Sequence, residues 1–364
     1  MSKVKSFLDD GVGQGYFPSY SYIVARGEDL IEEGAGGAAC LVPDAVKAGT
    51  DTIYDLASLT KPLATSVLAL VLRRQRLINF EDEVRRFLPA YEWDGRREIQ
   101  IHHLLAHTSG LPDWEPIYLF GYERKEICRG LDRVDLEYAP GGDVRYSCLG
   151  YIQLGRILEK AGGAALDLLF SELIARPLRL ESACFNPAAA LVPRIAATEG
   201  GNEFERRKCG DLGAGYQGFR KEMIRGTVHD HNCYSLGGVA GNAGLFATAR
   251  DVHLIAAEIL SPELVLRPED AGLFFDNLTG SFPDHRSIGL QLQSARDSVA
   301  GPAMSERAGA HTGFTGTSFA IDPASHLILI LLTNRIHPEY KELNMNEQRR
   351  RFHGEAFERA AARD

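Results

Sequence analysis

ASLTKPLATSVLALVLRRQ, residues 57–75, reads as an apolar helix with a lysine and a proline near its start. Apolar residues recur at three- and four-residue spacing from Leu63 onward, the helical period. Proline inside a helix costs about 3 kcal/mol, because it removes one backbone donor and crowds the preceding turn. The first four N–H groups of a helix have no internal acceptor, so a proline there loses little. With Ser58 as the N-cap, Pro62 is the fourth helical residue. Ser58 and Lys61 then stand three apart on one face, with the positive end of the helix dipole beneath the serine. A lysine in this position can take the serine proton if burial or a neighbouring cation lowers its pKa. The same spacing is also met by a capping serine beside a solvated lysine, so the stretch needs company elsewhere in the chain.

Composition narrows the setting. The chain has 364 residues, enough for one large domain or two ordinary ones, and is 45% hydrophobic. A formal charge of −9 and the lack of a basic patch interleaved with aromatics argue against nucleic-acid binding. The first twenty residues hold no long apolar run, and HLILILLTN is too short to span a bilayer. The expectation is therefore a cytoplasmic protein with no secretory signal and no membrane anchor. Six cysteines (Cys40, Cys128, Cys148, Cys184, Cys209, Cys233) are scattered without a C-x-x-C pair, which suits free thiols rather than a zinc site.

Outward from the quoted stretch, KVKSFLDDGVGQG forms a short helix. SYSYIVARGEDLIEEGAGGAA gives two extended runs around RGED, a hairpin signal. TIYDLAS is a third extended run. TSVLALVLRRQRL, IQIHHLLAHTSG, CLGYIQLGRILEKAGG and ALDLLFSELIARPLRL carry helical periodicity. Residues 186–245 are glycine-rich, and long ordered surface loops are expected there. ARDVHLIAAEIL is a helix and SIGLQLQ a strand. GAHTGFTGTSFAIDPASHLILILLTNR gives two strands around DPAS, the second nearly all apolar and so central. NEQRRRFHGEAFERAAA closes the chain as an amphipathic helix. Strands at both ends with helices between predict a split α/β domain, residues 1–65 and 240–364, interrupted by a mainly helical domain, residues 66–239, whose loops line a cleft.

Two segments complete the pattern opened by Ser58 and Lys61. YSC puts Tyr146 at a turn before a helix, where a phenol can shuttle a proton. HTG, residues 311–313, opens a strand whose edge offers backbone N–H groups. In this order, SLTK, YSC and HTG resemble the three motifs of the penicillin-binding-protein and class C β-lactamase superfamily of serine hydrolases, with its esterase and D-amino-peptidase relatives. IQIHHLLAHTSGLPDW and GGVAGNAGLFATARDV extend the resemblance over most of residues 50–335. The resemblance implies an α/β (α+β) β-lactamase-like fold, an antiparallel sheet flanked by helices plus an all-helical domain, with the site in the cleft between.

Carried over, the resemblance implies Ser58 as the acylated nucleophile, Lys61 as its activator and Tyr146 as the general base that later protonates the leaving group. It implies an oxyanion hole from the backbone N–H groups of Ser58 and Phe314. Cys148, His311, Thr312 and Gly313 would contact substrate. Cys148 stands where family members often carry asparagine, and a thiol is a weak hydrogen-bonding group. That departure bears on β-lactam and peptide recognition more than on acyl transfer. His311 stands where β-lactamases have lysine; as a cation it would bind a substrate carboxylate and release it as pH rises through its pKa.

Other signals carry less. His103 and His107 have i, i+4 spacing but no glutamate completes a metal motif, so His102, His103 and His107 are expected to pack or cap. His229, Asp230 and His231 are expected to hydrogen-bond a loop or line the cleft rather than bind metal. GVGQG does not follow a strand, which excludes a dinucleotide fingerprint, and G-x-S-x-G is absent. Trp114, Tyr118, Phe120 and Tyr122 either line an acyl pocket or pack the helical region. The sequence thus predicts a serine hydrolase that needs no metal or organic cofactor. It would act through an acyl-enzyme on a small-molecule ester, amide or peptide, as a carboxylesterase, D-amino-acid peptidase or muropeptide amidase with at most weak β-lactamase activity. The rivals are a penicillin-binding sensor that acylates with little turnover, a true class C-type β-lactamase, and a metal-dependent hydrolase.

Overall fold

A computed structural model describes residues 2–92 and 95–362. The main sheet is built from β1 (Ser19–Arg26), β2 (Asp29–Cys40), β3 (Val46–Lys47), β7 (Gln291–Leu292), β8 (Gly309–Thr312), β9 (Ser318–Asp322) and β10 (Leu327–Thr333). Its seven strands run in the order β3-β2-β1-β10-β9-β8-β7, each pair antiparallel. A smaller sheet joins β4 (Tyr54–Asp55), β6 (Leu245–Ala247) and β5 (Cys184–Phe185) in that order.

The nearly all-apolar β10 lies at the centre because both of its faces are covered. Ile328, Ile330 and Leu332 face one core, together with Ile23 of β1 and Phe319 of β9. That core continues into the helical region through Leu63, Val67, Leu154 and Ile255. Leu327, Leu329 and Leu331 face a second core with Tyr22, Phe352 and Val4, where the helices Lys3–Gly13 and Met345–Ala361 pack. A strand buried on both sides needs side chains of one kind rather than alternation. The β9–β10 hairpin closes at the expected DPAS turn, where Asp322 Oδ1 accepts the Ala324 N–H at 2.9 Å and Oδ2 accepts the Ser325 hydroxyl at 3.0 Å.

Several elements are shorter than the sequence pattern suggests. The helix expected within IQIHHLLAHTSG spans only Ile101–Leu105, because His107 takes a positive φ of 61° and turns the chain. ALDLLFSELIARPLRL divides into an α-helix, Leu166–Phe170, and a π-helical turn, Ser171–Ala175. SIGLQLQ keeps only the two-residue edge strand β7, since Gly289 at φ 85° bends the run. The glycine-rich region 186–245 is not all loop: it holds the helices Glu203–Cys209 and His231–Ser235 and ends in β6.

Two helices meet at the site. The chain from Lys61 to Arg74 begins as a π-helical turn through Ser66 and continues as an α-helix. The helix Cys148–Gly162 starts at Ser147, whose Oγ accepts the Gly150 N–H at 3.0 Å, and stops at Gly163 in the left-handed region. The segment around Gly241 wedges between them. A Cβ there would lie 2.1 Å from the Tyr151 carbonyl oxygen, so only glycine fits. Thr65 Oγ1 donates to the Gly241 carbonyl at 2.7 Å and fixes this segment against the first helix.

Candidate active site

Ser58 is not an N-cap, contrary to the sequence expectation. It lies inside a 3₁₀ turn, Ala57–Leu59, entered through Ala57 at φ 47°. The capping work falls to Asp55, whose Oδ1 accepts the Ala57 N–H at 2.9 Å. The π-helical turn then opens at Lys61 with Pro62 in its first positions, where a missing donor costs least. With Asp55 as the cap, the Ser58 hydroxyl is free of backbone duty and faces the cleft, half-buried. A left-handed alanine costs ~1–2 kcal/mol, and strain of this kind is held only where the surroundings fix it.

The surroundings are the β8–β9 connection. Thr315 Oγ1 donates to the Asp55 carbonyl at 2.8 Å and Thr317 Oγ1 to the Leu56 carbonyl at 3.1 Å. A Cβ at Gly313 would stand 2.1 Å from Thr317 Oγ1 and 2.6 Å from the Leu56 oxygen. The glycine of HTG is therefore what lets the serine turn dock against the end of β8. Among the described residues, neither the Ser58 nor the Phe314 backbone N–H has an acceptor within the chain.

Lys61 is fully buried. Its Nζ donates to Ser58 Oγ at 2.9 Å and to the Asn242 carbonyl at 3.2 Å, and lies 3.5 Å from Cys148 Sγ. It sits 4.8 Å from the centre of the Tyr146 ring. Burial opposes its charge, but Cys148, Tyr146 and Asp230 outweigh that and hold the amine above the ordinary lysine range.

Tyr146 immediately precedes the helix that Ser147 caps. His107 grips both its flanks: the His107 carbonyl accepts the Arg145 N–H at 2.9 Å and Nδ1 accepts the Ser147 N–H at 2.9 Å. The His107 ring packs tilted against the Tyr146 ring, 4.6 Å between centres. Burial, together with Arg286 and Lys61, holds His107 well below the usual histidine range, which keeps Nδ1 an acceptor. Burial also raises the Tyr146 phenol, against the lowering effect of the Lys61 charge. The His107 part is the packing and capping role expected from the sequence; that it positions Tyr146 was not legible there.

At the edge of β8, His311 is buried and its Nδ1 donates to the Thr312 carbonyl at 2.9 Å. Among the described residues its Nε2 has no partner. Burial, with Lys61 and Arg286 nearby, pushes this imidazole well below its ordinary value. His311 is therefore neutral, and the expected cation at this position is not there. Positive charge comes from residues that carried no sequence signal: Arg286, its guanidinium 5.4 Å from the Tyr146 ring centre, and Arg349, which donates to the Gly313 carbonyl at 2.6 Å. Burial, then Arg335, pushes Arg349 down to about 9, still cationic at neutral pH.

These groups share one cleft of about 690 Å³. Ser58, Tyr146, Cys148, His311, Thr312 and Gly313 all line it, as does Phe314. Of the four aromatics left open by the sequence, only Trp114 reaches the cleft, with Lys208 Nζ 3.9 Å from its ring centre. Tyr118 packs against His231 at 4.5 Å, while Phe120 and Tyr122 are exposed. His229 and Asp230 line the cleft; His231 packs behind it. His229 Nε2 pairs with Glu199 at 2.8 Å, and its backbone N–H donates to Asp55 Oδ2 at 2.7 Å. Among the described residues no group of three or more His, Cys, Asp or Glu is arranged to hold a metal ion, and all six cysteines are free. No helix among them is long and apolar enough to cross a membrane.

An antiparallel sheet backed by terminal helices, with a serine turn docked against the end of β8, is the build of a β-lactamase-type serine hydrolase. The chain belongs to the family described as Beta-lactamase, whose profile matches residues 4–352, within the superfamily of penicillin-binding proteins and class C enzymes. A putative D-alanyl-D-alanine carboxypeptidase of Escherichia coli K12 is 30% identical over 93% of this chain and 82% of its own. An N-acetylmuramyl-L-alanine amidase of Bacillus subtilis 168 is 29% identical over 98% and 85%. The solved structure of EstCE1, a hydrolase with promiscuous acyltransferase activity, shares the fold at TM-score 0.76 and 21% identity, over 97% of both chains. Simvastatin synthase of Aspergillus terreus shares it at 0.75 and 19%, over 99% of this chain and 97% of that one.

Proposed function

We infer that this protein cleaves amides or esters through an acyl-enzyme on Ser58. The observation that carries the reading is the 2.9 Å contact between Lys61 Nζ and Ser58 Oγ, made in a cleft that Tyr146 also lines. Lys61 acts as a buried cation rather than as the base. Burial keeps the Tyr146 phenol protonated at rest, and the Lys61 charge lowers the cost of ionising it, so the reactive form is the pair that has lost one proton. The phenolate oxygen takes the Ser58 proton as Oγ attacks the substrate carbonyl. The oxyanion that forms is received by the free N–H groups of Ser58 and Phe314, a contribution of ~3–4 kcal/mol per donor in comparable sites. Tyr146 then returns the proton to the leaving amine or alkoxide. Water reverses the sequence and frees the serine.

The relatives named carboxypeptidase and amidase support an amide of the cell-wall peptide type; a related fold named as a hydrolase and acyltransferase supports esters. Cys148, Thr312 and Gly313 would contact the bound substrate, and His311 would offer Nε2 as an acceptor. Lys61→Ala and Tyr146→Phe should each lower kcat on p-nitrophenyl butyrate at least ~100-fold, the usual worth of a positioned acid or base. A folded variant of either kind with near-normal kcat would exclude this proton route.

A further inference from the structure

The segment VHDHN, residues 228–232, reaches Ser58 from two directions. The backbone N–H of His229 donates to Asp55 Oδ2 at 2.7 Å, and the other oxygen of Asp55 holds the Ala57 N–H beside Ser58. Asp230 lines the cleft. Its Oδ1 accepts the Cys233 N–H at 2.7 Å, and its Oδ2 accepts the Asn242 side-chain amide at 3.3 Å. The Asn242 carbonyl in turn receives Lys61 Nζ at 3.2 Å, and Lys61 donates to Ser58 Oγ at 2.9 Å. Hydrogen bonds thus run from the turn that carries Ser58, through residues 229 and 230, to the lysine and back to the serine.

Asn242 is fully buried, and its Oδ1 has no partner among the described residues, so the bond to Asp230 is what sets its side chain. Its neighbours are pinned as well: Thr65 Oγ1 donates to the Gly241 carbonyl at 2.7 Å and Cys233 Sγ to the Ala243 carbonyl at 3.2 Å. Lys61 depends on the carbonyl between them, because a buried ammonium without acceptors or a countercharge is costly. Its other neighbours are Cys148 Sγ at 3.5 Å and the rings of Tyr146 and Tyr151, centred 4.8 and 5.8 Å away. Among the described residues Lys61 makes no direct ion pair, and the carboxylate whose charge acts on it is Asp230.

The titratable groups on either side respond to these two charges. Burial, Arg286 and Lys61 push His107 well below the usual histidine range, and burial, Lys61 and Arg286 do the same to His311. Around Asp230, burial and then the Asp230 charge push Glu205 up to about 8. Burial raises Asp55 and the Cys233 thiol, with Asp230 adding to both. His231 is pushed down to about 3 by burial, Arg220 and His229. Arg220 acts on Asp230 from a distance, since its guanidinium is held by Asn202 Oδ1 at 2.9 Å and by the carbonyls of Val228 and His229 at 2.7 Å each.

We propose that Asp230 is a positioning residue for the Ser58 centre: acting through Asn242, it fixes the carbonyl that orients Lys61 and faces the ammonium with a negative charge. The proposal rests on the acyl-enzyme reading above. Once the Lys61–Tyr146 pair has lost one proton, the proton that remains sits on the lysine amine or on the phenol oxygen. The chain of bonds from Asp230 ends on Lys61, so its charge keeps that proton on the amine and leaves the phenolate to take the Ser58 proton.

The test is the pH profile of kcat/KM on p-nitrophenyl butyrate for wild type and for Asp230→Asn, whose amide oxygen can still cap the Cys233 N–H. Removing an anion lowers the proton affinity of the groups it faces. Lys61 should then lose its proton at lower pH, and the rate of the folded variant relative to wild type should fall at least ~threefold between about pH 6 and 10. A residue that only holds the loop would lower the profile by one factor at every pH. A ratio that is constant or rises with pH, in turnover that Ser58→Ala abolishes, overturns the role of Asp230 and leaves the acyl-enzyme reading standing. Turnover that survives Ser58→Ala overturns both. Should Asp230→Asn not fold, Asp230→Ser, which keeps a capping oxygen, takes its place. If neither folds, Asp230 is a scaffold residue and the proposal falls.

Discussion

Asp55 accepts the backbone N–H of Ala57 at 2.9 Å, and Ala57 stands at φ 47° immediately before Ser58. The other oxygen of Asp55 accepts the His229 N–H at 2.7 Å. One carboxylate therefore holds the strained turn and the loop that carries the second cleft wall.

Asp55→Ala leaves two buried donors unpaired, at ~1–3 kcal/mol each. It should lower stability by a few kcal/mol and reduce kcat more than KM, since the Ser58 turn relaxes away from Lys61. Urea melts and steady-state kinetics on one preparation check this. An unchanged kcat with lowered stability would confine Asp55 to a structural role.

The pH dependence follows from His311. Burial, Lys61 and Arg286 depress its pKa in the folded protein, so no charge is lost as pH rises through the usual histidine range near 6.5. Michaelis constants for carboxylate-bearing substrates should stay flat between about pH 6 and 8. A rise with a midpoint near 6.5, removed by His311→Gln, would show that the histidine is a cation after all.

Cys148 Sγ lies 3.5 Å from Lys61 Nζ and lines the cleft. An asparagine at this position would add an amide that can accept from Lys61 and donate to a substrate carbonyl. Cys148→Asn should raise the ratio of amide to ester turnover ~tenfold, one hydrogen bond's worth, measured on matched p-nitroanilide and p-nitrophenyl compounds. An unchanged ratio would remove residue 148 from substrate selection.

Much of this arrangement was legible in the sequence, because it depends on local order. SLTK, YSC and HTG bring Ser58, Tyr146 and the end of β8 to one cleft, with Lys61 buried behind Ser58. The apolar run 327–332 announced a central strand, and RGED and DPAS announced their hairpins. What stayed hidden depends on partners distant in the chain. Nothing in YDLAS tells that Asp55, rather than Ser58, caps the turn, since the strain at Ala57 is fixed by Thr315 and Thr317 some 260 residues away. The depressed imidazole of His311 comes from burial, Lys61 and Arg286, and the raised amine of Lys61 from Cys148, Tyr146 and Asp230 against burial, partners that no spacing rule connects.

Glu205 also gives a stability signature. Its carboxyl is raised from 4.5 to about 8 in the folded protein, so between those values the folded state binds the extra proton. Stability from this group is complete below about pH 4.5 and is lost as pH rises through about 8. Glu205→Gln, which imitates the protonated acid, should therefore lose less melting temperature than wild type between about pH 5 and 8.5. Parallel Tm–pH curves would mean that the carboxyl is not held protonated.

The central claim is that Ser58 is the acylated residue. Intact-mass and peptide mass spectrometry after exposure to a fluorophosphonate test it most directly. The account predicts one adduct per chain, located on Ser58, formed slowly in Lys61→Ala and absent in Ser58→Ala. A stoichiometric adduct on another residue, or esterase turnover that survives Ser58→Ala, would contradict it.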